Sequence, residues 1–176
     1  MKRVVGSEEW ISLSELNIPY LKARVDSGAK TSSIHAINIQ PFQKDNETWV
    51  NFDVFPIQND GKRKVSCKAL VIGKRVVKSS SGNREHRYVV RTAIGLNDET
   101  WDVELTLTNR DSMGYRMLLG REAMIGRIIV DPSESFLAGS VEDEIIFKSY
   151  QQFKKPNQGL RIGLLASNQN LYSNRR

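Results

Sequence analysis

The chain has 176 residues, 39% of them hydrophobic and 26% charged, enough to bury a core in one domain of about 100–150 residues with an appendage. Its longest apolar runs, such as Ile128 to Val130 and Leu118 to Leu119, fall far short of the roughly 20 residues a membrane-spanning helix needs. Met1-Lys2-Arg3 is not followed by the apolar stretch of a signal peptide, and the single cysteine, Cys67, excludes an internal disulfide, so a reduced cytoplasmic setting without membrane attachment is expected.

The net charge of +6 is unevenly spread. Residues 151–176 hold Lys154, Lys155, Arg161, Arg175 and Arg176 and no acid, which leaves 21 basic and 20 acidic residues in residues 1–150. Within that near-neutral body, residues 62–91 carry ten Lys or Arg against Glu85 alone, a local +9. A basic stretch of this kind suits an acidic partner.

In chain order, Glu9 to Leu13 reads as a short strand. The next, ending at Asp26, alternates Leu21, Ala23 and Val25 on one face. It delivers the carboxylate of Asp26 into Ser27-Gly28-Ala29, where Gly28 permits a tight turn. The plainest reading of that loop is an Asx-type turn between strands. Ile34 to Ile39 suggests a further strand, ended by Pro41, and Trp49 to Phe55 alternates up to Pro56. Lys68 to Lys78 and Arg87 to Ile94 are β-branched runs joined by Ser79-Ser80-Ser81-Gly82-Asn83, a hairpin with a small polar tip. Trp101 to Thr108 alternates cleanly, predicting one buried and one wet face. Met117-Leu118-Leu119-Gly120-Arg121 leads into a helical turn over Glu122 to Ile125, closed by Gly126, and Arg127 to Asp131 is a strand stopped by Pro132. No long helix is evident, and many short strands with turns between them predict a mostly β, barrel-like domain over 1–150 with one or two short helices, followed by a basic tail over 151–176.

Three elements then acquire a joint meaning. Asp26-Ser27-Gly28-Ala29, the Ser79 to Asn83 hairpin and Leu118-Leu119-Gly120 resemble the catalytic loop, the flap and the rear support of retropepsin-like aspartic peptidases. More closely, Thr31-Ser32-Ser33-Ile34-His35-Ala36, Arg75-Val76-Val77-Lys78-Ser79-Ser80 and Glu104 to Arg110 resemble a bacterial family labelled ATP-dependent zinc proteases. The resemblance implies a closed retropepsin-like barrel in which Asp26 is catalytic and Ser27 and Gly28 shape its loop. Ala29, Ser79, Ser80, Ser81, Gly82, Arg75, Arg84 and Arg87 would then contact substrate. The flap stands further from Asp26 than in viral enzymes, so residues 38–66 are an insertion.

The chain has one Asp-Ser-Gly, whereas hydrolysis by water needs two carboxylates that share a proton. The second is therefore expected from a second copy, in a twofold homodimer. The zinc label is at odds with the residues: only His35 and His86 are present, without a His-Glu-x-x-His motif, and there is no G-x-x-x-x-G-K-[ST] loop for ATP. No metal and no cofactor is expected. After a polar linker at Lys154 to Gln158, Leu160 to Asn168 resembles the opening strand of ATP-grasp ligases that add glutamate to protein tails. That resemblance implies that residues 151–176 are a linker and the start of a following ATP-grasp-like domain, a functional link to such a ligase and, with the basic hairpin, an acidic, glutamate-rich peptide tail as substrate. Two rival readings stay open. One is a non-catalytic basic barrel that grips nucleic acid or an acidic protein, with Trp49, Tyr88 and Trp101 available for stacking; the other is a zinc-dependent peptidase.

Overall fold

The structure, a computed structural model, describes residues 1–78, 82, 84–109 and 114–151. Among these residues the chain forms eleven strands: β1 (Arg3–Val5), β2 (Glu8–Leu13), β3 (Ile18–Asp26), β4 (Ser32–His35), β5 (Ile37–Lys44), β6 (Glu47–Val54), β7 (Val65–Lys78), β8 (Arg84–Leu96), β9 (Glu99–Thr108), β10 (Met117–Gly120) and β11 (Ile128–Val130). Two helices, α1 (Arg121–Met124) and α2 (Asp143–Gln151), complete it. The fold is mostly β, as the strand-and-turn pattern predicts. Among the described residues, no helix is long and apolar enough to cross a membrane.

Nine strands follow one another in the order β2-β3-β10-β4-β9-β8-β7-β6-β5. β2 also pairs with β8 through Ser12 and Gly95, which closes β2, β3, β10, β4, β9 and β8 into a ring. The seam is tight: a Cβ on Gly95 would lie 2.3 Å from the Ser12 hydroxyl oxygen. Beyond β8 the sheet continues outward as the arm β7-β6-β5, the antiparallel meander that accommodates the insertion. A separate two-stranded parallel ribbon, β1 with β11, joins the start of the chain to the segment after α1.

The ring encloses Ile11, Leu13, Leu21, Ala23, Ile34, Ile94, Leu105, Leu107, Met117 and Leu119, all buried. Removing that apolar surface from water is the main force holding the strands together. In β3 the residues chosen by the two-residue period, Leu21, Ala23 and Val25, are all buried, as is Ile18 at its start. In β9, Trp101, Val103 and Leu105 are buried as expected, but Thr106 and Thr108, placed by the same period on the wet side, are buried too. Their hydroxyls donate to Ser32 O (3.1 Å) and Glu85 Oε2 (3.4 Å), which satisfies them inside.

One expectation fails. Pro41 does not end its strand: β5 runs through it, with Pro41 opposite Val50. β5 is the outermost strand of the arm, so one side of its backbone needs no ladder hydrogen bond, and proline is tolerated there. α2 is the second of the one or two short helices expected, at a place the sequence did not mark, and buries Ile146 and Tyr150 one helical turn apart. The Tyr150 hydroxyl donates to Tyr20 O and accepts from Tyr20 N, which fastens α2 to β3. A second long-range tie is Glu9, fully buried, whose carboxylate accepts N–H groups from Gly6 (2.6 Å) and Ala138 (3.2 Å).

Candidate active site

Asp26 is the last residue of β3, and β10 runs parallel beside it with Gly120 opposite Asp26 and Leu119 opposite Val25. β4 then returns antiparallel to β10, so the loop 27–31 that leaves Asp26 passes directly over Gly120. The approach is so close that a Cβ on Gly120 would sit 2.5 Å from Thr31 C and 2.8 Å from both Thr31 O and Ser32 N. Only a residue without a side chain fits, which is the physical reason for glycine after Leu118-Leu119. The backbone N–H of Gly120 donates to Ser32 Oγ at 3.0 Å, and this buried hydroxyl fixes the height of the loop above β10.

The loop is held from outside as well. Arg121 Nη1 donates to Gly28 O (3.0 Å) and Ser27 O (3.4 Å), while the first amides of α1, from Arg121 and Glu122, donate to Ala29 O (2.9 Å) and Lys30 O (3.1 Å). These helix-start N–H groups lack partners within the helix, and the loop carbonyls supply them.

Asp26 itself is half-buried. Its Oδ1 accepts N–H groups from Gly28 (2.9 Å) and Ala29 (3.1 Å). The Asx-type turn is therefore present, and it orients the carboxylate. Among the described residues no hydrogen bond is made to Oδ2. Gly28 is needed beside it, since a Cβ there would lie 3.1 Å from Oδ1. Two residues upstream, exposed Arg24 covers the Tyr115 ring at 5.7 Å. The Tyr115 hydroxyl donates to Glu8 at 2.5 Å, and that bond, then burial, raises its pKa above the ordinary tyrosine value.

The β7–β8 hairpin reaches the same region. Arg75 on β7 donates from Nη1 to Thr31 Oγ1 at 3.0 Å, pairs through Nη2 with Glu104, and lies 3.5 Å from Glu122. Lys30 adds a contact to Glu122 at 3.7 Å. Arg87, directly opposite Arg75 in the hairpin, is buried and paired with Glu85 through Nε (2.8 Å) and Nη2 (2.7 Å), so no ligand reaches it without displacing Glu85. Arg84 is exposed at the start of β8, opposite Lys78, and Gly82 is exposed with a φ of 86°. Ser79, Ser80 and Ser81 lie outside the described residues.

Much of the basic stretch is answered locally. Lys64 pairs with Asp53 (3.1 Å), Arg63 with Asp60, and Lys68 and Lys74 lie over Trp49 and Tyr88. Among the described residues no group of three or more His, Cys, Asp or Glu is gathered to hold a metal ion. His35 is buried in β4 and His86 is exposed on β8. Residue types and spacing did not single out Thr31, Ser32, Glu104, Glu122 or Arg121 as site-building residues. Their link to Asp26 runs through pairings between segments up to about 100 residues apart.

Three comparisons place the chain among known proteins. The family model described as "Retropepsin-like aspartic endopeptidase RimB" matches residues 4–140. A crystal structure of a Legionella pneumophila protein of unknown function superposes with a TM-score of 0.67 at 32% identity, covering 78% of this chain and 99% of that one. Proteins named "Probable alpha-L-glutamate ligase" from Desulfotalea psychrophila and Shewanella halifaxensis are each 55% identical over 175 residues, 99% of this chain. The chain spans 38% of the length of these relatives.

Proposed function

This chain belongs to the RimB-like family of retropepsin-like aspartic endopeptidases, and we propose that it hydrolyses peptide bonds as a homodimer in which each copy contributes Asp26. The observation that carries the reading is the fixed carboxylate. Asp26 Oδ1 is held by two backbone amides at the end of a strand locked to Gly120, while Oδ2 has no hydrogen-bond partner among the described residues. One such group cannot act as base and acid in the same step. Two of them, about 3 Å apart across a twofold axis, share a proton. The ionised member takes a proton from the attacking water as the protonated member donates to the substrate carbonyl oxygen. The resulting tetrahedral intermediate collapses when the amide nitrogen receives a proton and leaves as the amine. The hairpin carrying Arg75 would close over the peptide and exclude water.

The substrate we infer is an acidic, glutamate-rich peptide tail. The support is twofold: the basic hairpin beside the Asp26 loop, and relatives named as glutamate ligases, whose product would be such a tail. A ligase extending the tail and a peptidase shortening it would form a reversible pair, with any ATP chemistry belonging to the ligase.

The test compares the wild-type chain with Asp26→Asn on a glutamate-rich peptide, with sedimentation run in parallel. Cleavage should fall at least about 100-fold in the variant, and active wild type should sediment as a dimer. Full activity in Asp26→Asn, or activity confined to a monomer, would refute the mechanism. Salt-sensitive retention of nucleic acid without cleavage would instead favour a binding module.

A further inference from the structure

Arg75 and Arg87 face each other across the β7–β8 ladder, so two like charges leave the same face of the hairpin. Each is answered by acids, but in different ways. The Arg87 guanidinium is sealed, with 4% of its side chain exposed, although its partner Glu85 is 44% exposed. Arg75 is open: its side chain is 37% exposed, and those of Glu104 and Glu122 are 36% and 40% exposed. Together with Asp102 these residues line a cleft of about 400 Å³. The same guanidinium donates to Thr31, five residues beyond Asp26. A cleft with three carboxylates around one arginine is a poor place for an acidic peptide as it stands.

We propose that Arg75 is a carboxylate subsite which the protein fills with its own acids, Glu104 and Glu122 standing in for a side-chain carboxylate of the substrate. This rests on the acidic-peptide reading above. Half-exposed ion pairs are weakly held and exchange readily, whereas taking Glu85 away from the buried Arg87 guanidinium leaves a charge stranded. Arg75 is therefore the exchangeable arginine of the two. Guanidinium offers five donors in a fixed fork. A substrate carboxylate can take the donor now serving Glu104 and the place of Glu122 beside the guanidinium while the bond to Thr31 persists, which anchors the peptide next to the Asp26 loop. The resident glutamates then act as a threshold: a neutral peptide does not displace them, and one acidic residue competes poorly with two.

The test measures binding, independent of turnover, in the Asp26→Asn background of the 176-residue chain. Two labelled peptides of equal length are used, one rich in glutamate and one with glutamine in its place. Glu104→Gln and Glu122→Gln should each tighten the glutamate peptide about fivefold and move the glutamine peptide less than twofold. Arg75→Ala should abolish the preference, and Arg75→Lys should restore part of it. Asp45→Asn, a remote exposed acid in the β5–β6 turn, controls for net charge and should not reproduce the gain. Thermal melts establish that each variant is folded. Equal shifts for both peptides, a gain matched by Asp45→Asn, weaker glutamate-peptide binding in the Glu→Gln variants, or no preference in any variant would overturn the subsite. Wild-type cleavage of the glutamine peptide that is lost in Asp26→Asn would leave the hydrolytic reading standing after such a failure. The expected binding pattern without any cleavage would do the reverse.

Discussion

Replacing Gly120 by alanine adds one methyl group where the backbone of Thr31 and Ser32 crosses β10. The added Cβ would stand 2.5 Å from Thr31 C, and ordinary contact begins near 3.4 Å, so the loop must rise by about 0.9 Å. Its obstacles are backbone atoms, which have no alternative rotamer. Strain in the residue itself is not at issue, because the backbone of Gly120 is extended, with φ −81° and ψ 163°. Raising the loop also lengthens the Gly120 N–H to Ser32 Oγ bond and breaks the register that sets Asp26. Overpacking of this kind costs about 1–3 kcal/mol. With a urea m-value of about 2 kcal/mol/M, the midpoint should fall by roughly 0.5–1.5 M, and the peptide cleavage proposed above should fall with it. Gly73→Ala is the control, since a Cβ there meets nothing within 4 Å. A Gly120→Ala midpoint equal to that of Gly73→Ala would refute the steric argument.

Two further predictions concern the arm. Burial works to raise the Asp53 pKa, but hydrogen bonds from Asn38 (2.8 Å) and Ser66 (2.7 Å) and the Lys64 ammonium outweigh it and hold the carboxyl below its ordinary value. A lowered folded-state pKa means this stabilisation is present above the unfolded value of about 3.9 and is lost as pH falls through the folded one. Asp53→Asn should therefore flatten the decline in urea midpoint between about pH 5 and pH 3, and an unchanged pH profile would count against the node. Burial, then the nearby Asp53 charge, pushes the Cys67 thiol up to about 12. Its reaction with a thiol reagent at pH 8 should be slow in the native protein and rapid in urea, and equal rates would show that the site is open.

Strand positions were legible wherever one face met the core and the other met water. Leu21, Ala23 and Val25 locate β3 and therefore Asp26. The period misled at Thr106 and Thr108, because buried hydroxyls with partners look like solvent-facing residues in a sequence. α2 escaped because Asp143 to Gln151 is nine residues with only Ile146 and Tyr150 buried, too short for a helical period to stand out. The motif around Asp26 named the carboxylate but not its supports. Ser32 becomes meaningful only when β10 is laid beside β4, and Glu104 and Glu122, the partners of the already singled-out Arg75, only when the hairpin folds back over Thr31. Such pairings depend on topology, which local composition does not encode.

Pro41 has a bearing on solubility. A freestanding three-stranded arm exposes a long row of unsatisfied amides and carbonyls, a template on which foreign chains could stack. At Pro41 that row lacks a donor, and the irregular register between Ile37 and Gln40 bends it out of line. Growth of the sheet in that direction is thereby discouraged, so the arm can stand out from the ring without gathering strangers along its flank.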